Sequence, residues 1–266
     1  MKKLLTLLLV AIMISLTACS SNESTSESSQ NEENQQEFME DDSTAENEED
    51  DSSTDTDDKE STNAESYEVT YTSAKLYTSS IGTVWLQTII EVENTGDSDL
   101  YLSAGAYDLE DDTGKLVSSQ DLVSVYPSVI SPGEKAYYYE ETTVDDLDEN
   151  TVLTVIPRPK VAQSKVDKIQ FPISDFELKA DEYNGVSMIG RVENNTDEEQ
   201  TLVNIACILF DSENVPIGVI FTMLTEDFNA SDKIGFEGTG FSLPPDVTME
   251  NVASHIEFAY PTQFQI

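Results

Sequence analysis

The chain of 266 residues has little of what small metal-bound or disulfide-held proteins are built on: two cysteines, one histidine and one tryptophan. Two cysteines exclude a disulfide-stapled miniature fold, and with a single histidine they exclude a Cys/His zinc cluster. Basic residues are scarce too, 13 against 53 acids, for a formal charge of −40. A phosphate backbone demands a basic face, so nucleic acid is excluded as a partner. One long apolar run lies at the start of the chain, and a quarter of all residues are charged. That excludes a membrane-integral helical protein.

The charge is unevenly spread. Residues 1–19 hold Lys2 and Lys3 and no acid. Residues 20–66 hold 18 acids and one base, a net −17, and residues 67–266 hold 35 acids and 10 bases, a net −25. The middle segment is under a fifth of the chain yet carries over two fifths of the charge, so it is a different kind of polymer from residues 67–266.

Met1-Lys2-Lys3 is a short positive start, residues 4–14 are apolar apart from Thr6, and Ser15-Leu16-Thr17-Ala18-Cys19 comes next. Charge, length and small closing residues read as a secretory signal, too short to span a bilayer as a helix of about 20 apolar residues would. Leu16, Thr17, Ala18 and Cys19 resemble the bacterial lipobox. The resemblance implies a signal peptide over residues 1–18 and a diacylglyceryl thioether on Cys19, the new N-terminus. Two acyl chains would hold the protein stably at a membrane where one is marginal. The Ser/Glu/Thr-rich run after Cys19 is similar to that of Gram-positive lipoproteins, whose anchor lies in the cell membrane with the protein facing outward.

Residues 19–66 contain almost no apolar side chains beyond Phe38, Met39, Ala45 and Ala64. Such a stretch cannot bury enough area to offset the entropy of ordering, and it is expected to be a disordered acidic tether. A neutral coil of this length spans about 35–40 Å, and self-repulsion extends it.

From residue 67 the period becomes two, and 21 of the 22 aromatics lie here. Residues 84–92, 100–107, 136–139, 151–156, 185–192, 201–210, 217–221 and 255–260 read as strands. Asn94-Thr95-Gly96-Asp97, Asp111-Asp112-Thr113-Gly114, Ser131-Pro132-Gly133-Glu134 and Asn194-Asn195-Thr196-Asp197 supply the turns between them. Residues 119–123 and 249–254 read as short helical turns. The fold class expected is all-β, two tandem immunoglobulin-like β-sandwiches over 67–160 and 161–266, with the junction in 157–170.

An internal repeat is the reason to expect two domains. Val92-Glu93-Asn94-Thr95-Gly96-Asp97 recurs as Val192-Glu193-Asn194-Asn195-Thr196-Asp197. Tyr107-Asp108 is paired with Phe210-Asp211, Gly114-Lys115-Leu116-Val117 with Pro216-Ile217-Gly218-Val219, and the Pro132–Tyr137 turn with Ala230-Ser231-Asp232-Lys233-Ile234-Gly235-Phe236. The series resembles the FxLYD-type immunoglobulin-like domains of bacterial lipoproteins, most clearly in Gly190-Arg191-Val192-Glu193-Asn194 and Cys207-Ile208-Leu209-Phe210-Asp211. Cys207 stands where the family has Phe and Phe210 where it has Tyr. The first half keeps Tyr107-Asp108, with Ala106 in place of the Leu. The resemblance implies a sandwich without an active site.

Candidate chemistry is sparse. His255 opens a strand, and no Gly-x-Ser-x-Gly elbow accompanies it. Cys207, among Ile205, Ile208 and Leu209, reads as a small buried hydrophobe. Trp85, Tyr101, Tyr107, Tyr137, Tyr138 and Tyr139 could form a sugar or peptide platform, and strand alternation expects at least one ring of Tyr137-Tyr138-Tyr139 to be exposed. Asp108, Asp111 and Asp112, with Glu110, Asp211 and Glu213, form acidic loops. The first three are candidate cation ligands, although the run lacks the glycine and closing Glu of a calcium loop.

The expectation is a monomeric, non-enzymatic, lipid-anchored surface protein that binds or scaffolds an envelope protein or wall polymer, with no cofactor. A ligand-free spacer or envelope-stress lipoprotein and a calcium-modulated module are the alternatives.

Overall fold

In a computed structural model of the chain, residues 66–265 are described, apart from 80, 145–146, 183–184 and 241–242. Leu16, Thr17, Ala18, Cys19 and the acidic segment lie outside the described residues. The described residues lie in one compact unit.

The unit is all-β, with antiparallel pairing throughout. In the first half, β1 (Tyr67–Thr78), β2 (Val84–Asn94), β7 (Lys135–Thr143) and the short β5 (Val125–Tyr126) form one sheet in the order β1-β2-β7-β5. The facing sheet is built on β3 (Leu100–Glu110), which pairs with β4 (Leu116–Leu122) and β6 (Val129–Ile130), and with β8 (Thr154–Gln163). In the second half, β9 (Ile173–Asp181), β10 (Gly185–Glu193) and β13 (Lys233–Thr239) form the sheet β13-β10-β9. It faces β12-β11-β14, made of β11 (Val203–Phe210), β12 (Pro216–Leu224) and β14 (Ser254–Pro261). The two halves therefore share one topology: β1-β2-β7 matches β9-β10-β13, and β4-β3-β8 matches β12-β11-β14.

Corresponding turns are closed by the same bonds. Asn94 Nδ2 donates to the carbonyls of Ser98 at 2.9 Å and Ile130 at 3.0 Å, while its Oδ1 accepts from Gly96 N. Asn194 Nδ2 donates to Glu198 and Phe228, both at 2.8 Å, while its Oδ1 accepts from Thr196 N. Asp111 Oδ1 accepts from the backbone of Thr113 and Lys115, as Asp211 Oδ1 does from Glu213 and Val215. Turns of the first half use the left-handed conformation at Gly114 and Gly133, where glycine carries no Cβ penalty. Their counterparts are Asn214 and Ser231.

These bonds correct the repeat alignment. Asp111, not Asp108, is the counterpart of Asp211, and Gly114 corresponds to Asn214 rather than Pro216. The first-half equivalent of Cys207–Asp211 is thus Tyr107-Asp108-Leu109-Glu110-Asp111, three residues further along than Tyr107-Asp108 suggests. Sequence similarity slipped because β3 and β11 share only Ala106/Ala206 and Leu109/Leu209 at matched positions, with Asp111/Asp211 in the turn beyond.

Other expectations shift too. Residues 119–122 belong to β4, where Asp108 and Ser119 face each other across the ladder. Around 249–254 a single hydrogen-bonded turn runs from Thr248 to Asn251 and Val252, and Ser254 already begins β14. The 160/161 boundary falls inside β8, which stays paired with β3 through Gln163.

Each sandwich has its own core. Leu86, Ile90, Leu102, Leu109 and Tyr138 fill the first, and Val186, Met188, Ile205, Leu209 and Phe228 fill the second. A third cluster lies between them. Ile89, Tyr126, Tyr137 and Tyr139, on the outer side of β1-β2-β7-β5, pack against Ala206, Ile208, Phe210, Val219 and Tyr260 on the outer side of β12-β11-β14. Four sheets are therefore stacked face to face. Tyr137 meets Phe210 edge-on with centroids 5.9 Å apart, and Tyr126 lies 5.2 Å from Phe221. Polar bonds fix the register of this seam: Tyr260 donates to Val125 O at 3.0 Å, and Gln87 Nε2 donates to Ile217 O at 3.3 Å. The expected exposed ring in the tyrosine triplet is absent. Tyr137, Tyr138 and Tyr139 are 2%, 0% and 8% exposed, because alternation turns Tyr138 into its own core and the other two into the seam.

Candidate ligand groove between the sandwiches

Where the seam reaches the surface on the β14 side, it opens into a cleft of about 300 Å³. Three parts of the chain build it. β7 and the segment before it supply Val129, Lys135 and Tyr137, the linker supplies Lys168 and Ile169, and β14 supplies Ile256, Phe258 and Tyr260. Alternation on β14 sends Ile256, Phe258 and Tyr260 to one side, towards the first sandwich. The floor is apolar and aromatic, and Ile256 remains 44% exposed at the mouth.

Charges ring this floor. Lys168 is paired with both carboxylate oxygens of Glu134. Lys135 reaches Glu91 at 2.6 Å and Glu93 at 3.8 Å. Glu257 also borders the cleft, but alternation turns its carboxylate to the opposite face of β14, the face of Cys207, where it lies 3.8 Å from His255. Gln170 and Gln263 complete the rim.

Glu91 ties the groove to the seam. It is 7% exposed; burial alone would push its carboxyl up. Bonds from Lys135, Thr70 at 2.6 Å and Tyr137, with the Lys135 charge, outweigh that and hold it below the usual range. A carboxyl lowered on folding adds stability above its unfolded pKa, and this is lost as pH falls through the folded value. Glu140 has the opposite sign. Burial lifts its carboxyl, although it accepts the amides of Val123 and Ser124. We expect Glu91→Gln to flatten the fall in melting temperature on acidification below about pH 4.5, the ordinary carboxylate range. A titration of melting temperature against pH checks this, and an unchanged acid limb would refute the assignment.

The residues singled out from sequence are dispersed. Asp108 is held by Arg158, and Asp111 is committed to its hairpin. With Asp112 they lie along β3 and its turn, and among the described residues no three His, Cys, Asp or Glu side chains gather as a metal site. Cys207 is fully buried, and burial pushes its thiol far up, so the nucleophilic thiolate is suppressed. His255 rests beside the Phe176 ring at 5.1 Å. Tyr101 donates to Gln263 O, Tyr107 bonds Thr88 inside the first core, and Trp85 lies on β2 opposite Tyr77. Of the supposed aromatic platform, only Tyr137 reaches the groove. The linker lysine, Glu134, Ile256 and Glu257 were not singled out. The available signal was the apolar alternation of residues 256, 258 and 260.

Compared with known proteins, no family model matches this chain, and no curated protein matches it. The fold and the groove define its class: an all-β protein of two stacked sandwiches with a small amphipathic cleft where they meet.

Proposed function

We propose that this protein is a lipid-anchored binding module on the outer side of a Gram-positive cell membrane, with a non-enzymatic role at the envelope. The observation that carries the reading is the start of the chain: Lys2-Lys3, an apolar run, then Leu16-Thr17-Ala18-Cys19. The likeness to FxLYD-type lipoprotein domains in Cys207–Asp211 agrees with it. In this reading Cys19 carries the lipid, the acidic segment gives reach, and the groove supplies contact. The test is incorporation of an alkyne-tagged palmitate into the full chain expressed in a Gram-positive host. Wild type is expected to be labelled and to sediment with membranes, and Cys19→Ser to lose the label and appear in the medium. A wild-type chain that is unlabelled and soluble overturns the proposal.

A further inference from the structure

We infer that β12 is the pairing edge of a two-fold dimer. A second copy of this chain lays its own β12 antiparallel against the first and joins the two β12-β11-β14 sheets into one. The inference goes beyond the binding-module reading and uses neither the groove nor the anchor. It departs from the monomer expected from sequence. Four observations carry it.

The first is an exception. An open edge strand is a template for pairing with another chain, and proteins blunt such edges with charge, proline or shortness. Among the described strands, β5 and β6 have two residues each. The longer edge strands are charged, with Lys75 on β1, Asp121 on β4, Lys160 on β8, Glu177 on β9, Lys233 on β13 and Glu257 on β14. β12 is nine uncharged residues with no proline after the first.

The second is its backbone. Ala259 on β14 gives its carbonyl to Phe171, outside the sheet, at 2.8 Å. Strand groups alternate, so Phe258 and Tyr260 are the residues bonded to β11, at Ala206 and Asn204. On β11, Val203, Ile205 and Cys207 then face β12 and bond Leu224, Thr222 and Ile220. The N–H and C=O groups of Val219, Phe221 and Met223 are left aimed at the open edge. The third is apolar area at that edge. Phe221 and Met223 share the outer face of β12 and are 40% and 41% exposed. Phe221 also continues the seam, 5.2 Å from the Tyr126 ring.

The fourth selects the occupant. A two-fold pairing centred on Phe221 sets Phe221 beside its own image and Val219 beside Met223 of the second copy. In this register Asp211, Glu213, Glu226 and Asp227 fall in line with Ser231, Asn229, Pro216 and Val215. No acid of one copy is set against an acid of the other. The strand is therefore complementary to itself, as a two-fold contact requires.

A contact one strand wide buries less than the roughly 1,200 Å² of a stable interface, so the expected Kd is about 10–100 µM. The test is sedimentation velocity of the full chain carrying Cys19→Ser, at concentrations from about ten-fold below to ten-fold above that range. The substitution removes lipid and stray thiol alike, so the outcome does not depend on the anchor. Monomer is expected at the low end and dimer at the high end, with nothing larger, because a two-fold contact closes. Phe221→Lys is expected to weaken the dimer ten-fold or more. Leu116→Lys, on the exposed counterpart edge β4, is expected to leave it unchanged. Should Phe221→Lys fail to fold, a cysteine pair decides. Residues facing each other in a hydrogen-bonded antiparallel pair have Cα atoms about 5.5 Å apart, within disulfide reach. Phe221→Cys is therefore expected to give a disulfide dimer on mild oxidation. Met223→Cys places its two thiols four residues apart along the ladder, about 14 Å, and is expected to give none. Cys207 is fully buried and does not interfere. A chain that stays monomeric throughout overturns the inference, whether or not an unrelated extended peptide binds β12. So does a dimer indifferent to Phe221→Lys, equal cross-linking by the two cysteines, or assembly beyond two.

Discussion

Ile89→Asp is expected to cost about 4 kcal/mol or more of folding stability, and Ile189→Asp about 1 kcal/mol or less. The two isoleucines hold the same position in the two sandwiches: Ile89 pairs with Tyr139 across β2 and β7, and Ile189 with Glu237 across β10 and β13. Both point away from the core of their own sandwich. Ile89 is nevertheless fully buried, because the second sandwich covers it, whereas Ile189 lies partly exposed on an outer sheet. A carboxylate at Ile89 would be desolvated among Tyr137, Tyr139 and Ile208 without a counterion. For a folded unit of about 200 residues, 1 kcal/mol moves the melting point by roughly 2–4 °C. Calorimetry should therefore separate the variants by roughly 10 °C. Equal losses would mean that the seam contributes nothing, and that the sandwiches fold as independent beads.

Asn94→Ala and Asn194→Ala form the second pair, each expected to cost about 3 kcal/mol. Each amide is fully buried and serves two carbonyls and one backbone amide. Alanine would leave all three groups without that partner, and a buried unpaired group costs about 1–3 kcal/mol, partly relieved by water. Aspartate should be worse than alanine at neutral pH, since it keeps the acceptor but aims negative charge at two carbonyl oxygens. Urea unfolding of the four variants checks this. A gap between the halves larger than about 1 kcal/mol, or an aspartate variant as stable as wild type, would refute the shared role.

These two sets of residues show which parts of the fold were legible in sequence. Asn94 and Asn194 were visible because half of their bonding is local: the side chain, the Ser98 or Glu198 carbonyl and the Gly96 or Thr196 amide lie within five residues, and that run occurs twice, whereas the second acceptors, Ile130 and Phe228, lie 36 and 34 residues further on. The seam was not. Val203–Phe210 is apolar almost without a break, which marks a strand buried on both faces. Tyr137-Tyr138-Tyr139 carries the same mark. Such a run shows that both faces are covered but not by what, and read as an isolated sandwich it left one ring in solvent. The groove was less legible still. Its walls come from β7, the linker and β14, and Tyr137 and Tyr260 meet only after the sandwiches have stacked. The slip in aligning Tyr107-Asp108 with Phe210-Asp211 has a simpler cause. Side-chain type was matched where the hydrogen-bonding role of the turn aspartate is what recurs.

The stack has one more consequence. The first sandwich offers the sheet β1-β2-β7-β5 to the seam, while the second offers β12-β11-β14, the counterpart of β4-β3-β8. The contact is therefore heterologous, head to tail rather than two-fold, and such a contact repeated between identical units has no built-in end and would grow into a filament. Here the free end faces are charged, with Arg158, Lys160 and Asp108 on one and Arg191, Glu193 and Glu237 on the other. The seam is built on apolar rings, whereas the outward strands of the two terminal sheets carry these charges, so the same contact is not offered a second time at either end.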